Sequence, residues 1–191
     1  MNSCKQRIKD MVWKMLNKPT PKPKKNNIGL VEYCKAQLGR PYWYGTFGQK
    51  ASEHLYDAKR KQYPGYYTDT DFPRQYGQKV HDCIGLIKGY LWTDNADDVR
   101  PVYCSNGMPD LSADMFYQHC KRKGSDMKAM PDVPGIAVFM SGHVGIYIGD
   151  GEVIEARGHR YGVVKTKLSE RPWKQWAWIE EIEYVNENEK S

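Results

Sequence analysis

The sequence predicts an α+β domain in which helices come first and a small antiparallel sheet follows. Up to about residue 121, apolar residues recur at helical spacing in several segments. After Pro134-Gly135 the period changes, and short segments rich in Val, Ile, Tyr and Phe are separated by glycines. This second pattern is typical of antiparallel strands. Helices followed by strands is the order of an α+β fold.

Length and charge indicate one main domain with a basic appendage. The 191 residues suit one domain, and 40% hydrophobic residues can build a core. Residues 1–27 carry eight basic residues and one acid, whereas the remainder carries 21 basic and 22 acidic residues. A near-neutral body argues against nucleic-acid binding. We therefore divide the chain into a basic segment, 1–27, and a domain over 28–187.

The basic segment predicts a short helix followed by a linker. One face of the helix carries the apolar residues Ile8, Met11, Val12, Met15 and Leu16. The proline- and lysine-rich stretch 19–25 predicts an extended connection. Residues 1–18 could pack on the body or be partly disordered, or they could contact a membrane surface, an anionic polymer or a partner.

The cysteines and the N-terminus bear on where the protein is made. Five cysteines without regular spacing indicate free thiols in a reducing cytoplasm. The start of the chain has no apolar run of signal-peptide type. We expect synthesis in the cytoplasm without a signal peptide, and the basic arm favours a phage, prophage or mobile-element protein. We also expect a monomer without cofactor or metal.

Besides the helix that follows Cys83, three helices are predicted in the body, over residues 28–39, 50–63 and 112–121. The first ends at Gly39, the second at Pro64-Gly65, and the third has Ser112 or Asp110 near its cap. Strands are predicted for IAVFM, HVGIYIG, EVIEA and YGVVKTK, with one more within WKQWAWIEEIEYV.

Cys83 occupies an unusual position in the stretch VHDCIGLIKGYLW, residues 80–92. Asp82 is a suitable N-cap, and the following apolar residues predict a helix buried on most sides. Unpaired N–H groups and the dipole at a helix N-terminus stabilise a thiolate, so this position predicts a lowered cysteine pKa. Gly85 leaves space for another backbone or a substrate. Cys83 is therefore a candidate nucleophile.

A thiol nucleophile needs a base, and His143 is the best placed of the five histidines. It starts the apolar strand HVGIYIG, whereas His81 is expected to point away from Cys83. Glu155 is the candidate for orienting the imidazole. A three-residue loop with a left-handed Gly151 would put Glu155 opposite Gly145, on the face of His143. His159 is the fallback. Spacing for a zinc site is lacking.

These residues resemble the NlpC-type cell-wall peptidases, a branch of the papain-like cysteine hydrolases. The family's Asp-Cys-Ser-Gly-Leu motif is matched by Asp82-Cys83-Ile84-Gly85-Leu86. Its Gly-His-Val-Gly-Ile-Tyr motif, after a Pro-Gly segment, is matched by residues 142–147. Its Pro-Tyr-x-Trp-Gly segment is matched by Pro41-Tyr42-Trp43-Tyr44-Gly45. The matches span about residues 28–180, with departures at Ile84, Ile136 and Tyr44 and a long segment before Cys83.

The resemblance implies a papain-like fold, with N-terminal helices on a small antiparallel sheet and the nucleophile at the N-terminus of a buried helix. It implies Cys83 as nucleophile, His143 as base and Glu155 as orienting group. Tyr42, or else Tyr44, would line the site and help to bind the oxyanion, and Asp82 is a further candidate for substrate binding.

The implied activity is hydrolysis of an amide bond in peptidoglycan stem peptides at the cell wall, between γ-D-glutamate and the diamino acid. Two alternatives remain open. One is a wall amidase or another cysteine amidohydrolase of the same fold. The other is a non-catalytic wall-binding or virion structural module.

Overall fold

The computed structural model describes residues 25–94 and 100–186. The predicted N-terminal helix and most of the linker lie outside the described residues, as does any contact they make. Within the described ranges, no helix combines the length and apolar character needed to cross a membrane.

Four α-helices lie in the described chain, and the three predicted in addition to the Cys83 helix are confirmed. They are α1 (Asn27–Ala36), α2 (Glu53–Gln62), α3 (Gly85–Trp92) and α4 (Ala113–His119). The side chains of Asn26, Ser52 and Ser112 cap α1, α2 and α4 by accepting a backbone N–H of the first turn. The α+β order is also confirmed, because the main sheet follows these helices.

The main sheet has six antiparallel strands in the order β3-β8-β4-β5-β6-β7. They are β3 (Lys123–Gly124), β4 (Ala137–Met140), β5 (His143–Gly149), β6 (Glu152–Ala156), β7 (Val163–Lys167) and β8 (Gln175–Ala177). Five of these strands were predicted. A separate two-stranded sheet, β1 (Phe47–Lys50) with β2 (Lys79–His81), was not, because its residues lack alternating hydrophobicity.

Helix α3 is the centre of the core. All eight of its residues are buried, including Lys88. Its apolar side chains pack with α1 and with one face of the sheet, which presents Val144, Ile146 and Ile154. This packing fixes the start of α3, and therefore Cys83, against the start of β5.

A second cluster forms around Trp43, outside the main core. Trp43 is fully buried and meets Tyr67 and Phe72 edge to face, with ring centroids 5.9 and 5.4 Å apart. Its indole N–H donates to Gln75 at 2.6 Å. These contacts organise the long segment between β1 and β2, which the aromatic, turn-rich sequence did not reveal in detail.

Gly85, at the first position of α3, meets the backbone of Thr46 as the sequence suggested. A Cβ atom at Gly85 would lie 2.0 Å from the Thr46 carbonyl oxygen. That carbonyl also accepts the N–H of Asp82 at 2.9 Å. The close approach therefore holds the residues around Cys83 against the segment that follows Trp43.

We expect Gly85→Ala to destabilise the fold by about 3 kcal/mol, since the added methyl group must displace backbone. The measurement is the free energy of unfolding in urea. Gly65→Ala is the matched control, because a Cβ at Gly65 meets no atom within 4 Å. Equal stability of the two variants would contradict the described approach.

Candidate active site

Cys83 lies between β2 and α3, two residues before the helix begins. The N-cap is Ile84 and not Asp82, so that prediction was wrong in position. The Asp82 carboxylate nevertheless accepts the N–H of Gly85 at 2.6 Å and the N–H of Gly45 at 2.9 Å. Asp82 thus ties the Tyr44-Gly45 segment to the helix start.

Asp82 was also proposed as an oxyanion or substrate ligand. An ionised carboxylate only accepts hydrogen bonds, and both of its oxygens already receive a backbone N–H. Burial raises its pKa to about 6. The geometry therefore favours a structural role for Asp82, which holds the backbone at Gly45 and Gly85, over contact with an oxyanion.

The Cys83 thiol lies against the start of β5. Its Sγ atom is 3.9 Å from the carbonyl oxygen of Gly142, the residue before His143. Burial, followed by the charge of Asp82, raises the pKa of the thiol to about 12, although backbone N–H groups of Val144, Ile84 and Cys83 itself lower it. The predicted lowering of this pKa was wrong, because burial and Asp82 outweigh the helix terminus. These effects favour the thiol over the thiolate at neutral pH.

His143 is the first residue of β5, as predicted, and its ring is held on two sides. The Nε2 atom lies 2.7 Å from a carboxylate oxygen of Glu155. The ring stacks on Trp173, with centroids 5.7 Å apart and planes at 14°. An ionised carboxylate can only accept hydrogen bonds, so Nε2 must carry the proton that it donates to Glu155. In the neutral ring, Nδ1 is then the basic nitrogen.

The register between β5 and β6 brings Glu155 to His143. Ile146 pairs with Ile154 and Tyr147 with Val153, so Glu155 falls opposite Gly145, as predicted. Gly151 has a φ of 70°, the left-handed conformation on which that prediction depended. The predicted three-residue loop was wrong, because Gly149 pairs with Glu152 and the loop is Asp150-Gly151 alone. A bulge between Tyr147 and Gly149 supplies the extra residue that sets this register.

Glu155 is fully buried and lies in a hydrogen-bonded network. Arg171 donates to it from Nε at 2.9 Å and from Nη2 at 3.1 Å, and the Thr166 hydroxyl donates at 2.9 Å. Burial acts to raise the pKa of Glu155, but the bonds from His143 and Arg171 outweigh it and the pKa is lowered. The carboxylate is therefore charged at neutral pH.

Sequence reasoning missed Arg171 and Thr166. An inward carboxylate on an apolar strand signals a need for partners, and His143 alone leaves acceptor sites open. The signal was thus present, but Arg171 lies outside the predicted strands and nothing local indicated its direction.

His159, the alternative candidate for orienting His143, pairs with a different residue. Its Nε2 atom lies 2.7 Å from an oxygen of Asp71, and its ring lies against Phe72. Since Glu155 occupies Nε2 of His143, His159 is not the third group. His81 points away from Cys83, as predicted, with Nε2 2.8 Å from the Tyr33 hydroxyl, and burial lowers its pKa to about 3.

Tyr42 and Tyr44 differ in their surroundings. Burial, then electrostatic interaction with Cys83 and Asp82, raises the pKa of Tyr42, so its hydroxyl stays protonated and can donate a hydrogen bond. Tyr44 stacks on Tyr66 with centroids 3.7 Å apart. Tyr44 lines the cleft beside Cys83, whereas Tyr42 is not among its lining residues. Tyr42 stays the candidate for an oxyanion donor because it interacts electrostatically with Cys83.

Cys83 opens into a cleft of about 660 Å³. One wall carries the rings of Tyr44, Tyr63 and Tyr66, and another is formed by residues 110–114. Within the described residues, no group of three or more His, Cys, Asp or Glu side chains could hold a metal ion.

The fold and the site together define an α+β domain in which a cysteine just before a buried helix lies beside the residue that precedes a histidine on an antiparallel sheet. A scan against protein-family models finds no match, and a search of curated proteins finds none. Solved structures similar to this chain include the peptidoglycan hydrolase RipB from Mycobacterium tuberculosis, with 21% identity and a TM-score of 0.48. That match covers 88% of this chain and 75% of RipB.

Two further similar structures carry the family name that the motifs resemble. The NlpC/p60 domain of the peptidoglycan hydrolase SagA has 16% identity and a TM-score of 0.44, over 81% of this chain and 99% of that domain. NlpC2 from Trichomonas vaginalis has 18% identity and a TM-score of 0.47, over 81% of this chain. The match spans about half of NlpC2, 47% of its length.

We expect Glu155→Gln to cost about 3–5 kcal/mol of stability, since it leaves the Arg171 guanidinium without its charged partner. The double variant Glu155→Gln/Arg171→Met should recover part of this loss, which a double-mutant cycle of unfolding free energies measures. Because the folded-state pKa of Glu155 is lowered from 4.5, its contribution is present at neutral pH and is lost as the pH falls below that value.

Glu152→Gln on the same strand is the control for this cycle. Glu152 pairs with Lys165 at 2.8 Å, with side chains 35% and 49% exposed, so we expect a cost below about 1 kcal/mol. Equal effects at Glu152 and Glu155 would contradict the buried network.

We expect iodoacetamide to alkylate Cys83 slowly at pH 7 and at a rate that still rises beyond pH 9, because the thiolate is the reactive form. Peptide mass spectrometry gives the rate at each cysteine. The exposed Cys104 serves as the accessible control and the buried Cys34 as the shielded one. A plateau for Cys83 below pH 7 would instead mean a preformed thiolate.

Proposed function

We propose that the protein is a cysteine hydrolase that cleaves an amide bond in peptidoglycan stem peptides. The observation that carries this proposal is the placement of the Cys83 thiol beside the residues that flank His143, with His143 fixed by a charged, buried Glu155. A core thiol or a binding module needs neither the oriented imidazole nor the network behind it.

The raised pKa of Cys83 decides how the reaction starts. As the Sγ atom attacks the carbonyl carbon, Nδ1 of His143 takes the thiol proton and acts as general base. The negative charge that develops on the carbonyl oxygen is bound by the backbone N–H of Cys83 and the hydroxyl of Tyr42. Glu155 holds the ring and stabilises the imidazolium.

The attack gives a tetrahedral intermediate. It collapses to a thioester, which water then hydrolyses in a second step. The C–N bond breaks, His143 returns its proton to the departing amine, and the acyl group stays on Cys83 as a thioester. His143 next removes a proton from water, the hydroxide attacks the thioester carbon, and the acid leaves while Cys83 regains a proton. No atom changes its oxidation state, so water is the only co-substrate that the reaction needs.

The stem-peptide substrate rests on the motif resemblance, which implies the bond between γ-D-glutamate and the diamino acid. The similar structures of RipB and SagA belong to peptidoglycan hydrolases. Amide hydrolysis at another wall bond uses the same residues, so a wall amidase is the second candidate. The site of action in either case is the cell wall.

The test is mass spectrometry of purified muropeptides after incubation with the protein. We expect fragments split after γ-D-glutamate, and Cys83→Ala should reduce their rate by several orders of magnitude because the nucleophile is removed. Cys104→Ala is the matched control and should cleave like the wild type, since Cys104 is exposed and does not line the cleft.

Other fragments would decide between the candidates. A split between the sugar lactate and the first alanine would make the protein an amidase. Equal product from the wild type and Cys83→Ala would rule out Cys83 as the nucleophile. An absence of cleavage with every wall preparation would overturn the proposal of a wall hydrolase.

A further inference from the structure

The cleft beside Cys83 contains charged side chains that the proposed chemistry does not use. Its carboxylates already have donors from the protein. Asp82 accepts two backbone N–H groups, Asp110 accepts from Lys88 at 2.5 Å and from the Tyr103 hydroxyl at 2.6 Å, and Asp114 accepts a backbone N–H at 2.8 Å. Lys88 is likewise paired through Asp110.

Lys59 differs from these groups. It projects from α2 into the cleft, and its ammonium nitrogen lies 3.4 Å from the position that a Cβ at Gly45 would occupy. Its hydrogen-bond partner is Gln62, at a long distance of 3.4 Å, and it makes no ion pair within the described residues. An ammonium group has three donors, so most of its capacity is unused.

The aromatic wall holds the lysine in this position. Tyr63 packs edge-on against Tyr44 with centroids 5.0 Å apart, and the Lys59 ammonium lies 5.7 Å from the Tyr63 ring centroid. Burial lowers the pKa of Lys59, while the carboxylates of Asp82 and Asp110 act to raise it. A half-buried cation with open donors is best satisfied by an anion from the substrate.

We propose that Lys59 binds a carboxylate of the substrate, so that the cleft selects acidic peptides with a free carboxylate near the scissile amide. This inference rests on the proposed function and deepens it. The tyrosine rings beside Lys59 lower the local dielectric and so strengthen the attraction. A carboxamide in place of the carboxylate retains an acceptor oxygen but loses the charge, and it should bind more weakly.

The test compares synthetic stem peptides in two matched pairs. In one pair the α-carboxyl of D-glutamate is free or amidated, and in the other the carboxyl of the diamino acid is free or amidated. For at least one pair, the wild type should show about a tenfold higher kcat/KM for the free acid. Lys59→Met should remove that preference, mainly through a higher KM, because the interaction is made on binding.

Two further variants make the test specific. Lys61→Met on the same helix is the control, since Lys61 is exposed and does not line the cleft, and it should keep the wild-type preference. Lys59→Arg retains the positive charge and should keep a reduced preference. Equal wild-type rates within both pairs, or an unchanged preference in Lys59→Met, would overturn the inference.

Binding to the inactive Cys83→Ala protein separates this inference from the proposed function. Calorimetry with the same peptides should show tighter binding of the free acid, lost when Lys59→Met is added. If the wild type cleaves nothing but this binding difference is present, the proposed function fails and the carboxylate site stands. Equal or absent binding of acid and amide would overturn the carboxylate site.

Discussion

Glu155 places the strongest physical constraint on this fold, because it is a charged group with no exposure to solvent. A buried carboxylate is tolerated only when donors surround it, and here His143, Thr166 and Arg171 supply them. These donors come from three different segments of the chain. The sheet register, the turn at Gly151 and the path of the chain beyond β7 must therefore all be correct for the carboxylate to be satisfied.

The same constraint acts against alternative registers. A slip of one residue between β5 and β6 would turn Glu155 toward the apolar face that packs on α3. That face presents the apolar side chains of Val144 and Ile146. The ion pair thus contributes specificity to the sheet as well as orientation to the imidazole, and the two effects share one set of hydrogen bonds.

Much of this arrangement follows from local sequence. The helical spacing, the glycine-separated strands and Gly151 in the turn together predict the elements and the register that joins His143 to Glu155. What local sequence does not contain is the direction of side chains from distant segments. Arg171, the rise in the pKa of Cys83 and the position of Lys59 all depend on tertiary burial and on charges brought together by folding.

Separate apolar clusters divide the described residues into parts with different freedom to change. The rings around Trp43 organise the segment between β1 and β2, while α3 and the sheet face packed on it belong to another cluster. The residues around Cys83 are held instead by Gly45 and Thr46, which precede β1 and lie outside this segment. This segment can therefore change its length or its cleft-facing side chains while the residues around Cys83 and His143 keep their geometry.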